Sequence, residues 1–161
     1  MVEVFLSLNR EGDAFYLNCQ KYDCKGGETI KIEVPEGYWN VESLTDGGQV
    51  FYDSMWLQSI LTGLRVDVMY REGNCLNLYN YGLENWDVKS TGTISTSLGT
   101  MKYVVSLPNG WRTHINGFVQ VDSEHYIRLI YDYSNEDFAD LSDSEIISRF
   151  SEIAQWIKIS D

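Results

Sequence analysis

Two alternating apolar runs followed by a capped amphipathic helix constrain the fold of this chain more than any other part of its sequence. Ile115 to Val121 and Tyr126 to Tyr133 repeat apolar side chains at every second position, the period of a strand with one buried face. They meet at Asp122-Ser123-Glu124 and so read as a hairpin. Ser142-Asp143-Ser144-Glu145 then fits a capping box, in which the serine hydroxyl accepts from the third helical N–H and the glutamate reaches back to the cap. Across Asp143 to Ile157, Ile146, Ile147, Phe150, Ile153, Ala154 and Ile157 recur at steps of three and four, a stripe that needs a sheet to lie on. Strands grouped together and a helix after them specify an α+β fold.

The remainder adds strands. Val2 to Leu8 and Ala14 to Cys19 flank Asn9-Arg10-Glu11-Gly12-Asp13 and read as a first hairpin. Thr29 to Val34 puts Ile30, Ile32 and Val34 on one face, and Pro35 stops it for want of an N–H. Residues 49 to 62 read as a short helix that Asp53 or Ser54 caps and Gly63 ends. Leu64 to Tyr70 and Cys75 to Tyr81 alternate about the turn Arg71-Glu72-Gly73-Asn74, a second hairpin. Polar Ser90 to Thr93 leads to a strand at Thr100 to Ser106, which Leu107-Pro108-Asn109-Gly110 turns. The expectation is an antiparallel sheet of about six to eight strands, packed by a C-terminal amphipathic helix, with room for one short mid-chain helix. At 161 residues, with no linker or repeat, this is one α+β domain over 1–161, able to bury roughly two thirds of its unfolded surface.

Charge narrows the partners. The formal net charge is −12, and half of it falls in residues 132 to 161, where eight acids stand against Arg149 and Lys158. Nucleic acid and anionic membrane would be repelled, and a basic protein surface would be attracted. Cys19, Cys24 and Cys75 are odd in number and read as reduced thiols. Cys19 and Cys24 lie too far apart for a zinc knuckle, and His114 and His125 are far downstream, so no metal and no cofactor is expected. The first residues lack a basic, apolar leader, and no long apolar window occurs, which makes the cytoplasm the expected location.

No nucleophile elbow, phosphate-binding loop or dinucleotide fingerprint is present, so enzymatic chemistry is not expected. If the last hairpin turns near Ser123, His114 and His125 lie about six rows apart, roughly 20 Å at ~3.3 Å per residue, too far to share a site. Aromatic residues make up 14% of the chain, and tyrosine and tryptophan are the usual desolvated anchors of protein interfaces. Tyr79, Tyr81 and Trp86, at a hairpin end, and Tyr131, Asp132, Tyr133, Glu136, Asp137 and Asp140, before the helix, are the expected contact residues.

The order of elements resembles the Mog1/PsbP-like superfamily, which includes DcrB and the DUF1795 chaperones of secreted effectors. The likeness runs over residues 28 to 159. Glu33-Val34-Pro35-Glu36-Gly37-Tyr38-Trp39 is similar to that family's opening, Ser97-Leu98-Gly99-Thr100-Met101-Lys102 to its glycine-bearing central strand, and Val119 through Tyr131 to Ile157 to its closing hairpin and helix. The resemblance implies protein binding and brings no catalytic residues. With the acidic charge it points to an intracellular protein-binding module, an immunity protein, antidote or chaperone that neutralises a toxin or effector. Two alternatives stay open: a phage-type inhibitor whose carboxylates mimic nucleic acid, and a small hydrolase using an unrecognised carboxylate pair.

Overall fold

The computed structural model describes residues 10–11, 14–17, 29–33, 38–43, 48–53 and 64–160. In chain order the elements are β1 Arg10–Glu11, β2 Ala14–Leu17, β3 Thr29–Glu33, β4 Tyr38–Ser43, β5 Gly48–Asp53, β6 Arg65–Glu72 and α1 Cys75–Asn85. There follow β7 Val88–Thr96, β8 Gly99–Ser106, β9 Arg112–Gln120, β10 His125–Ser134, α2 Asp143–Ala154 and β11 Ile157–Ser160. The class is α+β. Among the described residues all ladders are antiparallel. Among the same described residues a seven-stranded sheet runs β4-β5-β6-β10-β9-β8-β7, within the expected six to eight strands, and a second, four-stranded sheet runs β1-β2-β3-β11.

The large sheet separates its side chains cleanly. On one face Val66, Val68, Leu129, Tyr131, Ile115, Val119 and Met101 share a core with Ile146, Phe150, Ile153 and Ala154 of α2. On the other face Val104, Phe118 and Tyr126 are buried with Cys75, and Leu78, Tyr79 and Trp86 pack against them. Residues one apart along a strand point to opposite faces, which is why neighbouring Phe118 and Val119 enter different clusters. The capping box of α2 forms as its sequence requires, with Ser142 Oγ accepting from the Glu145 amide and Glu145 accepting from the Ser142 amide.

Gly117 sits where the sheet meets α2. A Cβ there would stand 2.6 Å from Met101 Sδ and 2.8 Å from Phe150 Cζ. The thioether can swing aside, but the phenyl ring is fully buried and cannot. Gly117→Ala is therefore expected to lower stability in urea unfolding by about 1 to 3 kcal/mol, the usual cost of overpacking. An unchanged midpoint would contradict the close approach of ring and strand.

Several expected elements change. Cys75 to Tyr81 is the start of helix α1, not a returning strand, because Asn74 Oδ1 accepts from the Leu76 amide and begins a helix. Its inner residues then reach Phe118 at helical spacing. The mid-chain helix is thus α1. Residues 49–53 of the stretch read as helix belong to β5, paired with β4 and β6, while 54–62 lie outside the described residues. Ser90 to Thr93 belongs to strand β7 at the end of the sheet, where polar outward positions are tolerated. The first hairpin pairs Arg10 with Phe15 and Glu11 with Ala14, and Val2 to Leu8 lies outside the described residues. Finally α2 ends at Ala154, and Ile157 opens β11 opposite Ile32. Trp156, in the turn after α2, and Ile157 are both buried in the core that α2 shares with the large sheet.

Candidate functional site

The contact residues expected from the sequence separate into three groups. Tyr131 and Tyr133 are interior: Tyr131 meets Phe150 edge-on at 6.0 Å and Tyr133 stacks on Phe138 at 4.8 Å. Neither can face a partner, since the alternation that makes β10 a strand turns both toward the α2 side. Burial also pushes the Tyr133 hydroxyl above its ordinary value. Asp132, between them, points to the other face and is mostly buried in an ion pair, so it too is withdrawn from direct contact.

Glu136, Asp137 and Asp140 are exposed. They lie on a turn that leaves β10 and is pinned by Phe138, which is buried against Tyr131 and Tyr133. Phe138 N–H donates to Ser134 O at 3.1 Å, Ala139 N–H to Glu136 O at 3.3 Å and Leu141 N–H to Phe138 O at 3.0 Å. The acids therefore stand on a hydrogen-bonded ledge. Exposed Asp143 and Glu145 extend it into the first turn of α2, where negative charge suits the helix dipole. Two cations border it: Lys89 Nζ meets Asp143 at 3.0 Å, and the Arg149 guanidinium lies 5.6 Å over the Phe138 ring.

Tyr79, Tyr81 and Trp86 stand on α1 or at its C-cap, not at a hairpin end. Tyr79 contacts Phe118 edge-on at 6.3 Å with Lys102 above its ring at 5.1 Å, while Tyr81 is 56% exposed. Trp86 stacks on Phe118 and turns its remaining surface toward a groove.

That groove, about 410 Å³, occupies the part of the sheet's second face that α1 leaves uncovered. Register builds its floor: Asp132 lies opposite His114 on β9 and Arg65 on β6, and Ile130 lies opposite Asn116 and Asp67. Asp132 accepts from Arg112 Nε at 2.5 Å and meets His114 Nε2 at 3.3 Å, while Arg65 Nε donates to Asp67 at 2.9 Å. Burial alone would raise the Asp132 carboxyl, but the hydrogen bonds from His114 and Arg112 outweigh it and hold the carboxyl below the usual range. Arg128 instead meets a neutral acceptor, with Nε and Nη2 donating to Asn116 Oδ1 at 3.0 and 2.8 Å. Burial lowers the proton affinity of that guanidinium.

Other polar groups serve the fold. His125 is buried at the far end of β10, where Asp122 Oδ1 accepts from its amide and lies 3.0 Å from its Nδ1, closing the hairpin turn. Cys75 is buried, which raises its thiol, and Cys19 and Cys24 lie outside the described residues. Among the described residues no three His, Cys, Asp or Glu side chains gather as metal ligands. No helix among them is long and apolar enough to cross a membrane.

No protein-family model matches the sequence, and no curated protein matches it. Among solved structures it is similar to LpqN of Mycobacterium tuberculosis, described as involved in cell envelope biogenesis. The TM-score is 0.57 at 12% identity, over 85% of this chain and 86% of that one. The likeness is one of fold.

Proposed function

We propose that this chain is a non-enzymatic protein-binding module of the antidote or chaperone kind, which receives a basic partner on the acidic ledge before α2. The observation that carries this reading is the ledge itself. Glu136, Asp137 and Asp140 are all exposed on a turn that Phe138 and its hydrogen bonds fix in place, so they meet a partner without first being ordered. Complementary charge of this kind chiefly speeds encounter and excludes wrong partners. The resemblance to the Mog1/PsbP-like superfamily supports the same reading, with the Mog1/PsbP assignment itself part of the proposal. The arrangement of α2 as the helix that closes the sheet belongs to it as well.

The test uses the partner purified from the cells that make the protein. Glu136→Gln, Asp137→Asn and Asp140→Asn together should slow association about tenfold at low salt, with a smaller change in dissociation. Asp132 is left out of this set because it holds Arg112 and His114. Equal association rates for the wild type and the triple variant would overturn the ledge as the docking surface. Capture of several unrelated DNA-binding proteins, all released steeply by salt, would instead mark a mimic of nucleic acid. Cytoplasmic action is part of the proposal. LpqN's description supplies the competing location, and fractionation that finds the protein in the cell envelope would replace it.

A further inference from the structure

We propose that the groove on the open face of the large sheet binds an organic carboxylate, with the acid group held by Arg128 and the apolar body lying against Trp86 and Ile130. Arg128 is a half-buried cation on β10 and, among the described residues, no carboxylate lies within ion-pair distance of it. Its two hydrogen bonds go to one amide oxygen, Asn116 Oδ1. The rings of Trp86 and Phe118 flank it at 5.6 and 5.8 Å. Cations taken out of water are ordinarily paired with an anion. Here, among the described residues, no carboxylate pairs with Arg128.

The groove's own acids are engaged elsewhere. Asp67 accepts from Arg65, and Asp132 accepts from Arg112 with His114 beside it. Asp67 is near enough for Arg128 to feel its charge, but its carboxylate accepts from Arg65 Nε at 2.9 Å. Nη1 of Arg128 donates to no described residue, and it is the edge of the guanidinium left for a ligand. A chain of net charge −12 has thus placed guanidinium and imidazole groups together in one concavity.

Three features select the ligand class. Two of the five guanidinium N–H groups go to Asn116, and the edge formed by Nη1 and the second N–H of Nη2 suits a carboxylate, which needs fewer donors than a phosphate to be satisfied. Trp86 and Ile130 form an apolar flank that an inorganic anion would leave unused. The volume, about 410 Å³, lies within the ~300 to 1,000 Å³ of small-molecule sites.

The test follows the Arg128 Nε–H and Trp86 Nε1–H resonances by ¹⁵N-edited NMR while the intact protein is titrated with 3-phenylpropionate, its neutral amide 3-phenylpropionamide, or inorganic phosphate. Both resonances should shift saturably with the carboxylate, and the amide should bind at least about tenfold more weakly, having lost the charge-assisted hydrogen bonds. Arg128→Met should abolish the response of Trp86. Because that change also removes packing beneath Trp86, Ile130→Glu provides a second variant, in which a carboxylate placed inside the groove should block the added one. Equal binding of carboxylate and amide, phosphate binding as tight as 3-phenylpropionate, or a saturable response that persists in both variants would each overturn the proposal.

Discussion

Phe150→Ala should cost about 3 to 5 kcal/mol of folding stability, the largest loss expected of any single change in α2. The ring is fully buried and lies edge-on to Tyr103 at 5.8 Å and to Tyr131 at 6.0 Å. Its removal takes away the transfer free energy of a phenyl group and leaves a void that rigid strands β8, β9 and β10 cannot close. For a chain of this length the melting temperature should fall by roughly 10 °C. The same ring faces the vacant Cβ position of Gly117, so the two sites are coupled. Gly117→Ala should be less harmful in the Phe150→Ala background than in the wild type, since the added methyl then enters the void. Additive losses, or a Phe150→Ala loss under about 1 kcal/mol, would mean that the helix face does not pack as described.

Asp132→Ala should cost about 2 to 4 kcal/mol, because it removes the carboxylate that Arg112 and His114 share on the sheet. The side chains of Arg112 and Asp132 keep 17% and 14% of their exposure, which places the expected loss below that of a fully enclosed pair. Its pH dependence has a definite sign. The folded carboxyl is held below its ordinary 3.8, so the folded state binds fewer protons than the unfolded state just beneath that value. The stabilisation is complete above the unfolded value and is lost as pH falls through the folded one. Asp132→Asn should therefore be less stable than wild type near neutrality and approach it as pH falls from about 4 toward 2. Asp122, whose carboxyl is also held low by the Glu124 amide and His125 despite the opposing effect of burial, adds a second acid-labile contribution that both proteins share. Parallel stability curves for wild type and Asp132→Asn over that range would contradict the ion pair.

The parts of the fold legible in the sequence are those fixed by neighbours in the chain. The β9–β10 hairpin follows from strict alternation, and the start of α2 from Ser142 and Glu145, whose bonds join residues three apart. Cys75 to Tyr81 reads as a returning strand although it is helical, because seven residues rich in leucine and tyrosine satisfy both a two-residue and a 3.6-residue period. The Asn74 cap was the one local signal that favoured a helix, and packing on Phe118 from a distant strand completes it. Ile157 was drawn away from α2 by β3, more than a hundred residues earlier, which no local pattern reveals.

The site was less legible for a related reason. Alternation that sets Ile127 and Leu129 on one face of β10 encloses Tyr131 and Tyr133 with them, whatever their aptitude as interface anchors. The same alternation sends Arg128, Ile130 and Asp132 to the opposite face. Their partners, however, depend on register: Asn116 reaches Arg128, and His114 and Arg112 reach Asp132, only once β9 is aligned with β10. Glu136, Asp137 and Asp140 were legible because charged residues before a helix cap are rarely enclosed.

Hydrogen–deuterium exchange on the complex with the native partner probes the acidic ledge most directly. Amides of Asn135 to Leu141 should slow by about tenfold or more on binding, together with loss of solvent access at Glu136, Asp137 and Asp140. Unchanged exchange across that turn, with protection gathered on another face, would contradict the ledge as the surface through which this protein acts.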